Sequence, residues 1–396
     1  MAGRGSAVSA APLEEPTKID LFEAGAGGYV TCRIPGIVVT PKGTVLVYCE
    51  ARKGSASDWA EIDIISRRSS NGGATWEAPR KLVEALKGSA PNTAQPAQKV
   101  KVGGPTLNNP VAIVDPMSGV IHFLYCVNYE RCFYTHSDDD GKTFAEPREI
   151  TSTFEKFRPE YDWKVIATGP GHGIKLTKTG RLVVPVWMSL GTGRNGHHPS
   201  CVATIISDDA GKSWQAGEIA AHSSSSVPDP NETTAVELSD GRVMLNTRCE
   251  SPKHRRVIES SNDGSTGWSK PVFDDALPDP ICFASLVRVP HPDPAHEVCL
   301  AFSNPSSDSA GKGLSKLRIN LTVRLSFDDG KTWPASRLLD AGAAGYSDLA
   351  AGVDGTLYCF YERGNVGASQ FSTKSLCLAR FRPEWVMAAS LNAAQP

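Results

Sequence analysis

A short phrase, Ser-x-Asp-x-Gly-x-Thr-Trp, recurs down the chain and restricts its architecture more than any other feature. It stands at Ser69 to Trp76, where Asn71 takes the Asp place, then at Ser137 to Phe144, Ser207 to Trp214 and Ser326 to Trp333. A looser copy runs from Ser260 through Asn262 and Gly264 to Trp268, with one extra residue before its Trp. The copies start 68, 70, 53 and 66 residues apart. Such an interval marks one supersecondary unit used repeatedly. Apolar, β-branched runs precede the copies, as at Cys201 to Ile206 and Leu321 to Leu325, and each is closed by a turn cluster. Within the phrase, the Asp or Asn can accept hydrogen bonds from its own turn. The Gly supplies a positive φ, and the aromatic residue offers an apolar face to a neighbouring sheet. The phrase therefore predicts one clamped hairpin per repeat.

Dividing 396 residues by the regular spacing gives about six units. The expected fold is all-β: a six-bladed β-propeller of four-stranded antiparallel blades, one blade lacking the phrase. A propeller closes on itself, so residues 18–385 are expected to form one domain. Residues 1–17 read as a flexible leader and 386–396 as a tail. Only Pro383 to Ser390 has a helical look.

Composition narrows the function. The net charge of −2 gives no electrostatic reason to bind nucleic acid. No run of 18 apolar residues exists, so no membrane span is predicted. The first fifteen residues lack the apolar stretch of a signal peptide, so a soluble protein is expected, cytosolic or with its signal removed. Ten Cys are scattered, several inside apolar runs, which suits buried free thiols better than a disulfide framework. No C-x-x-C pair predicts a zinc site. His197-His198 has no partner at ligand spacing in the sequence. The Asp138-Asp139-Asp140-Gly141 run fails as an EF-hand, because its sixth position is Thr143 and not Gly. Neither metal nor cofactor is expected. Sequons at Asn231 and Asn320 lie beside candidate site residues and read as unused.

Charged residues in apolar or Gly-rich settings are the candidates for chemistry. Arg33 lies in Thr31-Cys-Arg-Ile-Pro35. Arg52 follows a strand and precedes a Gly/Ser loop that ends in Asp58. Glu232 and Arg248 stand 16 residues apart on two strand-like segments joined by a turn. Arg318 opens the strand of the last phrase. Tyr346 lies in Gly345-Tyr-Ser-Asp-Leu349, and Glu362 ends a following apolar run. Each has a rival: Glu237 for Glu232, Arg324 for Arg318, and Asp63 for Asp58.

This ordered set, together with the repeated boxes, resembles the six-bladed exo-α-sialidases (neuraminidases) of bacterial type. The resemblance runs from about Phe22 to Arg382. Two departures are Cys32, where many members carry an aromatic residue, and Asn71 in the first box. The resemblance implies a retaining glycoside hydrolase that removes terminal α-linked sialic acid from glycoconjugates without a cofactor. Arg33, Arg248 and Arg318 would hold the sugar carboxylate, and Glu362 would hold Arg33. Tyr346 would be the nucleophile, Glu232 its base and Asp58 the general acid. Arg52 would bind a ring hydroxyl, with His172 and Trp187 lining the pocket. A neutral phenol suits a carbon that already bears a carboxylate, because an attacking carboxylate would be repelled; a tyrosine nucleophile is a known exception among glycosidases. Sialylated glycans are the implied partners. The alternatives are a trans-sialidase and a non-catalytic sialic-acid-binding propeller.

Overall fold

The computed structural model describes residues 14–84, 92, 94, 104–291, 298–308 and 315–393. Strand β1 (Thr17–Glu23) stands apart from the strands that follow it in sequence. A first sheet contains β2 (Thr31–Val39), β3 (Val45–Lys53), β4 (Glu61–Ser69) and β5 (Arg80–Lys81). The second has β6 (Leu107–Val114), β7 (Ile121–Val127), β8 (Arg131–Ser137) and β9 (Arg148–Glu149). The third is built on β10 (Val165–Thr168), with β11 (Gly171–His172) crossing to pair with β6 and β12 (Ile174–Lys175) pairing with β13 (Leu182–Ser189). It continues through β14 (Ser200–Ser207) to β15 (Gln215–His222). The fourth has β16 (Thr233–Glu237), β17 (Val243–Thr247), β18 (Arg255–Ser261) and β19 (Val272–Pro278). The last contains β20 (Ser285–Pro290), β21 (Val298–Pro305), β22 (Ile319–Ser326), β23 (Ala335–Ala351), β24 (Leu357–Asn365) and β25 (Thr373–Phe381), with β1 on its outer edge.

Among the described residues the hydrogen-bonded sheets therefore number five, where the repeat spacing predicts six. The reason is β23, which is 17 residues long. Its first part pairs with β22 and its second with β24, so seven strands join into one ladder. The β1–β25 pairing ties the start of the described chain to its last strand.

Burial follows position within each sheet. Innermost β2 and β16 are buried along almost their whole length, whereas most residues of outer β15 and β19 are exposed or half-buried. Continuous apolar runs are what strands covered on both faces require. The core lies between neighbouring sheets. Leu124 of β7 and Val184 of β13 belong to one such cluster, and Met244 of β17 and Phe302 of β21 to another. Truncating Leu124 to Ala would cost about 2–5 kcal/mol.

Four boxes follow a strand and clamp the turn after it, as expected; the strands are β4, β8, β14 and β22. Ser137 Oγ donates to Asp139 Oδ1 and accepts from the Gly141 N–H, while Asp139 accepts from the Thr143 N–H at 2.8 Å and its hydroxyl at 2.7 Å. Asn71 keeps the acceptor for the Thr75 N–H and uses its amide to donate to the Thr75 hydroxyl. Gly141 has φ of 77°, the left-handed region that favours Gly. Phe144 packs edge-on against Phe123, and Trp333 packs at a tilt against Phe302. In the looser copy the register differs from the sequence alignment. Its working Ser is Ser261 and its carboxylate Asp263, which accepts from the Thr266 N–H.

A helix, α1 (Pro383–Ala393), crosses the expected boundary at residue 385 and buries Trp385 and Val386 against the last sheet. Residues 1–13 of the expected flexible leader lie outside the described residues. All ten cysteines are buried and unpaired.

Candidate active site

The candidate residues stand at one end of the sheets. Glu232 precedes β16 and Arg248 follows β17, and their backbones are hydrogen-bonded across the open end of that hairpin. Arg33 is near the start of β2, Arg318 immediately precedes β22, and Tyr346 and Glu362 lie within β23 and β24. All of these but Glu362, which lies behind Arg33, line a small pocket of about 130 Å³.

Tyr346 is its centre. Its hydroxyl donates to Glu232 Oε1 at 2.7 Å and accepts from Arg248 Nη1 at 2.8 Å. The same Arg248 nitrogen also donates to Glu232 Oε2. Burial pushes the Tyr346 hydroxyl well above the usual phenol range, against the opposing pull of Arg248, Arg318 and Arg33. The guanidinium carbons of Arg33 and Arg318 each stand 5.2 Å from the centre of its ring. Ile34, Cys282 and Phe283 pack with Tyr346 in a small apolar cluster. Three guanidinium groups thus border one phenol that already has a proton acceptor.

Glu362 fixes this end of the site. It receives Arg33 Nε at 2.9 Å and Nη2 at 3.2 Å, a two-point clasp. It also accepts from the Ile34 and Tyr346 N–H groups. Burial, the largest single influence, acts to raise its carboxyl, but Arg33, Arg318 and the Ile34 N–H together bring the net direction down. Gly345 is required beside it: a Cβ there would stand 2.1 Å from Glu362 Oε2.

Asp58 lies on the loop between β3 and β4, with its side chain 43% exposed. Oδ1 accepts from Arg52 Nη1 at 2.7 Å and lies 3.8 Å from Arg33 Nη1. Burial acts upward, but Arg52 and Arg33 hold the carboxyl well below the usual range. Arg52 itself is sealed. It donates to the Ala56 carbonyl, Asp58 and Glu50, leaving less of it free for a sugar than the sequence reading supposed.

The structure sorts the remaining candidates. Trp187 lines the pocket. His172 does not. It lies in a separate cavity of about 650 Å³, bordered by the opposite ends of the inner strands, at Val39, Val114, Glu237 and Ala351. Gly171, with φ of 84°, turns the chain there, and His172 Nδ1 meets buried Asp348 at 2.7 Å. Glu237 borders the same far cavity and accepts from Thr177, so it is no rival to Glu232. Arg324 is bonded to Asn304 and Ser306, and Asp63 to Tyr29 and Lys53. Asn231 is buried, and its amide oxygen accepts from the Glu232 N–H.

The sequence reading missed Asn109, Tyr129, His197 and Phe371, all of which line the pocket. Tyr129, His197 and Trp187 form an aromatic corner with Trp59, the Trp59 and His197 rings stacked at 5.3 Å. Burial pushes the His197 imidazole down to about 4. Phe371 stands at the mouth over Arg318, 4.8 Å from its guanidinium carbon. A composition signal existed only for His197, in its Gly/Asn-rich loop. His198 gains partners that the sequence did not suggest, Asp229 and Glu250. They address opposite ring nitrogens, at 3.5 and 3.6 Å, a bridge between two carboxylates and not a chelate.

A family model described as a BNR repeat-like domain matches residues 87–359, and the chain belongs to that family. A sialidase of Micromonospora viridifaciens is 31% identical over 392 residues, covering 92% of this chain and 55% of the relative. The chain thus spans about half the length of that relative. The solved structure of the Hadza microbial sialidase Hz136 matches with a TM-score of 0.74 at 26% identity, over 93% of this chain and 69% of that one. The intramolecular trans-sialidase from Ruminococcus gnavus matches with a TM-score of 0.72 over 93% and 98% of the two chains. At 17% identity this is a likeness of fold alone.

Proposed function

We propose that the protein is a retaining exo-α-sialidase that hydrolyses terminal α-linked sialic acid through Tyr346. The observation that carries this reading is the bonding around the phenol: one carboxylate takes its proton while a guanidinium faces its oxygen. Arg33, Arg248 and Arg318 bind the sugar carboxylate, each by charge-assisted hydrogen bonds. As the Tyr346 oxygen attacks the anomeric carbon, its proton passes to Glu232 Oε1. A phenol with a raised pKa is a poor nucleophile unaided, so the base within 2.7 Å is needed. Asp58 gives a proton to the departing glycosidic oxygen. In the second half, Asp58 takes a proton from water, which attacks the same carbon from the side the aglycone left. The bond to Tyr346 breaks, Glu232 returns the proton, and the anomeric configuration is retained.

The six-bladed architecture belongs to the same reading. Divided at the change of partner within β23, the seven-stranded ladder becomes two blades, the second completed by β1. Residues 18–385 then act as one catalytic domain, to which α1 adds an outer support.

The test is proton NMR of a sialoside digest at early times. The α-anomer of free sialic acid should appear first and then mutarotate. The β-anomer as first product would rule out the tyrosine intermediate. Release of a 2,7-anhydro product in place of the free sugar would identify the trans-sialidase alternative. Binding without release would favour a lectin-like propeller.

A further inference from the structure

Glu50 is a sealed charge that the chemistry above leaves without a task. It stands two residues before Arg52 on β3, so both side chains lie on one face of the strand. Arg52 Nη2 donates to Glu50 Oε2 at 2.8 Å, and each side chain is only 1% exposed. The other Glu50 oxygen accepts from the Asn109 N–H at 2.9 Å. Arg52 Nη1 reaches the other way, to Asp58 at 2.7 Å. One buried guanidinium is therefore held between two carboxylates, one enclosed and one at the pocket mouth.

This arrangement bears on the acid step. Asp58 has to be neutral before it gives up its proton and anionic before it activates water. Each time Asp58 takes a proton, Arg52 loses a counter-ion, and a buried guanidinium without one is strongly disfavoured. We propose that Glu50 is a positioning residue that keeps Arg52 charge-balanced while Asp58 is protonated, and so allows Asp58 to alternate between acid and base. The inference rests on the reading of Asp58 as the general acid. The groups facing Asp58 are Arg33 from β2, Glu50 and Arg52 from β3, Tyr129 after β7, and His197 from the loop after β13. A bound sugar carboxylate would answer the charge of Arg33, leaving Arg52 as the cation that Glu50 must balance.

The sign of the test follows. Glu50→Gln leaves the charge of Arg52 to Asp58 alone. The resting site stays balanced, because Asp58 is then a carboxylate, but protonating Asp58 becomes harder. The alkaline limb of kcat should move to lower pH by about one unit, roughly tenfold in rate at a fixed pH above the limb. The loss should be seen with sialyllactose, whose leaving alkoxide needs the proton. It should be small with p-nitrophenyl sialoside, whose leaving group needs little help. Glu50→Gln combined with Arg52→Gln removes anion and cation together and should return the limb to its wild-type position or above. A Glu50→Gln limb that overlays the wild type, or equal slowing of both substrates at every pH, would overturn the proposal. If Glu50→Gln alone does not fold, the double variant decides: a limb below the wild type overturns it and a limb at or above supports it. Asp58→Ala on the same two substrates separates the underlying reading. Equal loss on both would show that Asp58 is not the acid, whatever Glu50 does.

Discussion

The rim and the axis of this protein use the same few side-chain types under opposite conditions. At the rim, Asp139 and Asp209 accept hydrogen bonds only from their own turns, in water, and each box repeats the same local solution. At the axis, Glu232 and Glu362 meet partners far away in sequence, and their bonds are shared. Arg248 serves both Tyr346 and Glu232, and Glu362 serves Arg33 and two backbone N–H groups. A local carboxylate can be replaced with local consequences. A shared one cannot, because its removal leaves buried charges elsewhere without partners.

Changes at the axis should therefore dominate. Tyr346→Phe removes the phenol oxygen and should lower kcat on an aryl sialoside on the order of 10³-fold or more. A loss of less than tenfold would end the nucleophile reading. Glu362→Ala leaves the buried Arg33 without its clasp, and a stability loss of about 3–5 kcal/mol is expected in urea unfolding. Gly345→Ala presses a methyl group against Glu362 and should cost about 1–3 kcal/mol. It should also raise KM, because Arg33 is displaced with its partner.

Rim changes should be smaller. Bonds from the Ser213 hydroxyl and N–H lower the Asp209 carboxyl to about 2, and for Asp139 the Thr143 bonds outweigh burial with the same result. A depressed carboxyl stabilises the fold fully above its ordinary value and loses that contribution as pH falls toward the folded one. The boxes should thus loosen only below pH about 4, complete near pH 2. Asp209→Ala should lower Tm at pH 7 by about 2 °C or less, with no change in kcat. Asn71→Asp should be silent in both measurements, since Asn71 already keeps the turn's acceptor. A rim variant that altered kcat more than a Gly345 variant would break the contrast.

How much could be read in advance follows the same division. The boxes are legible because their bonds close within eight residues. Arg33, Glu232, Arg248 and Arg318 are legible because each stands near a strand end with a local pattern around it, and Tyr346, inside β23, because of the Gly-Tyr-Ser-Asp-Leu run around it. His172 misleads, since the left-handed turn at Gly171 aims it to the far cavity, and nothing in its neighbours' identities says so. Phe371, Tyr129 and Asn109 have no local mark, because only the ring of sheets brings the loops of the first two and the β6 strand of the third to one mouth. The fourth box is misread by one residue because two serines adjoin. The sheet count differs because nothing in the sequence tells whether a 17-residue strand pairs with one neighbour or two.

The seam where β1 meets β25 has a consequence in time. Arg33 stands just after the first strand and its clasp, Glu362, just before the last. A ribosome releases them 329 residues apart, and until β25 is made there is no surface for β1 to join. The pocket thus cannot close until β25 has been made. A chain truncated before Thr373 would be expected to emerge with most of its boxes formed and no anion-binding site at all.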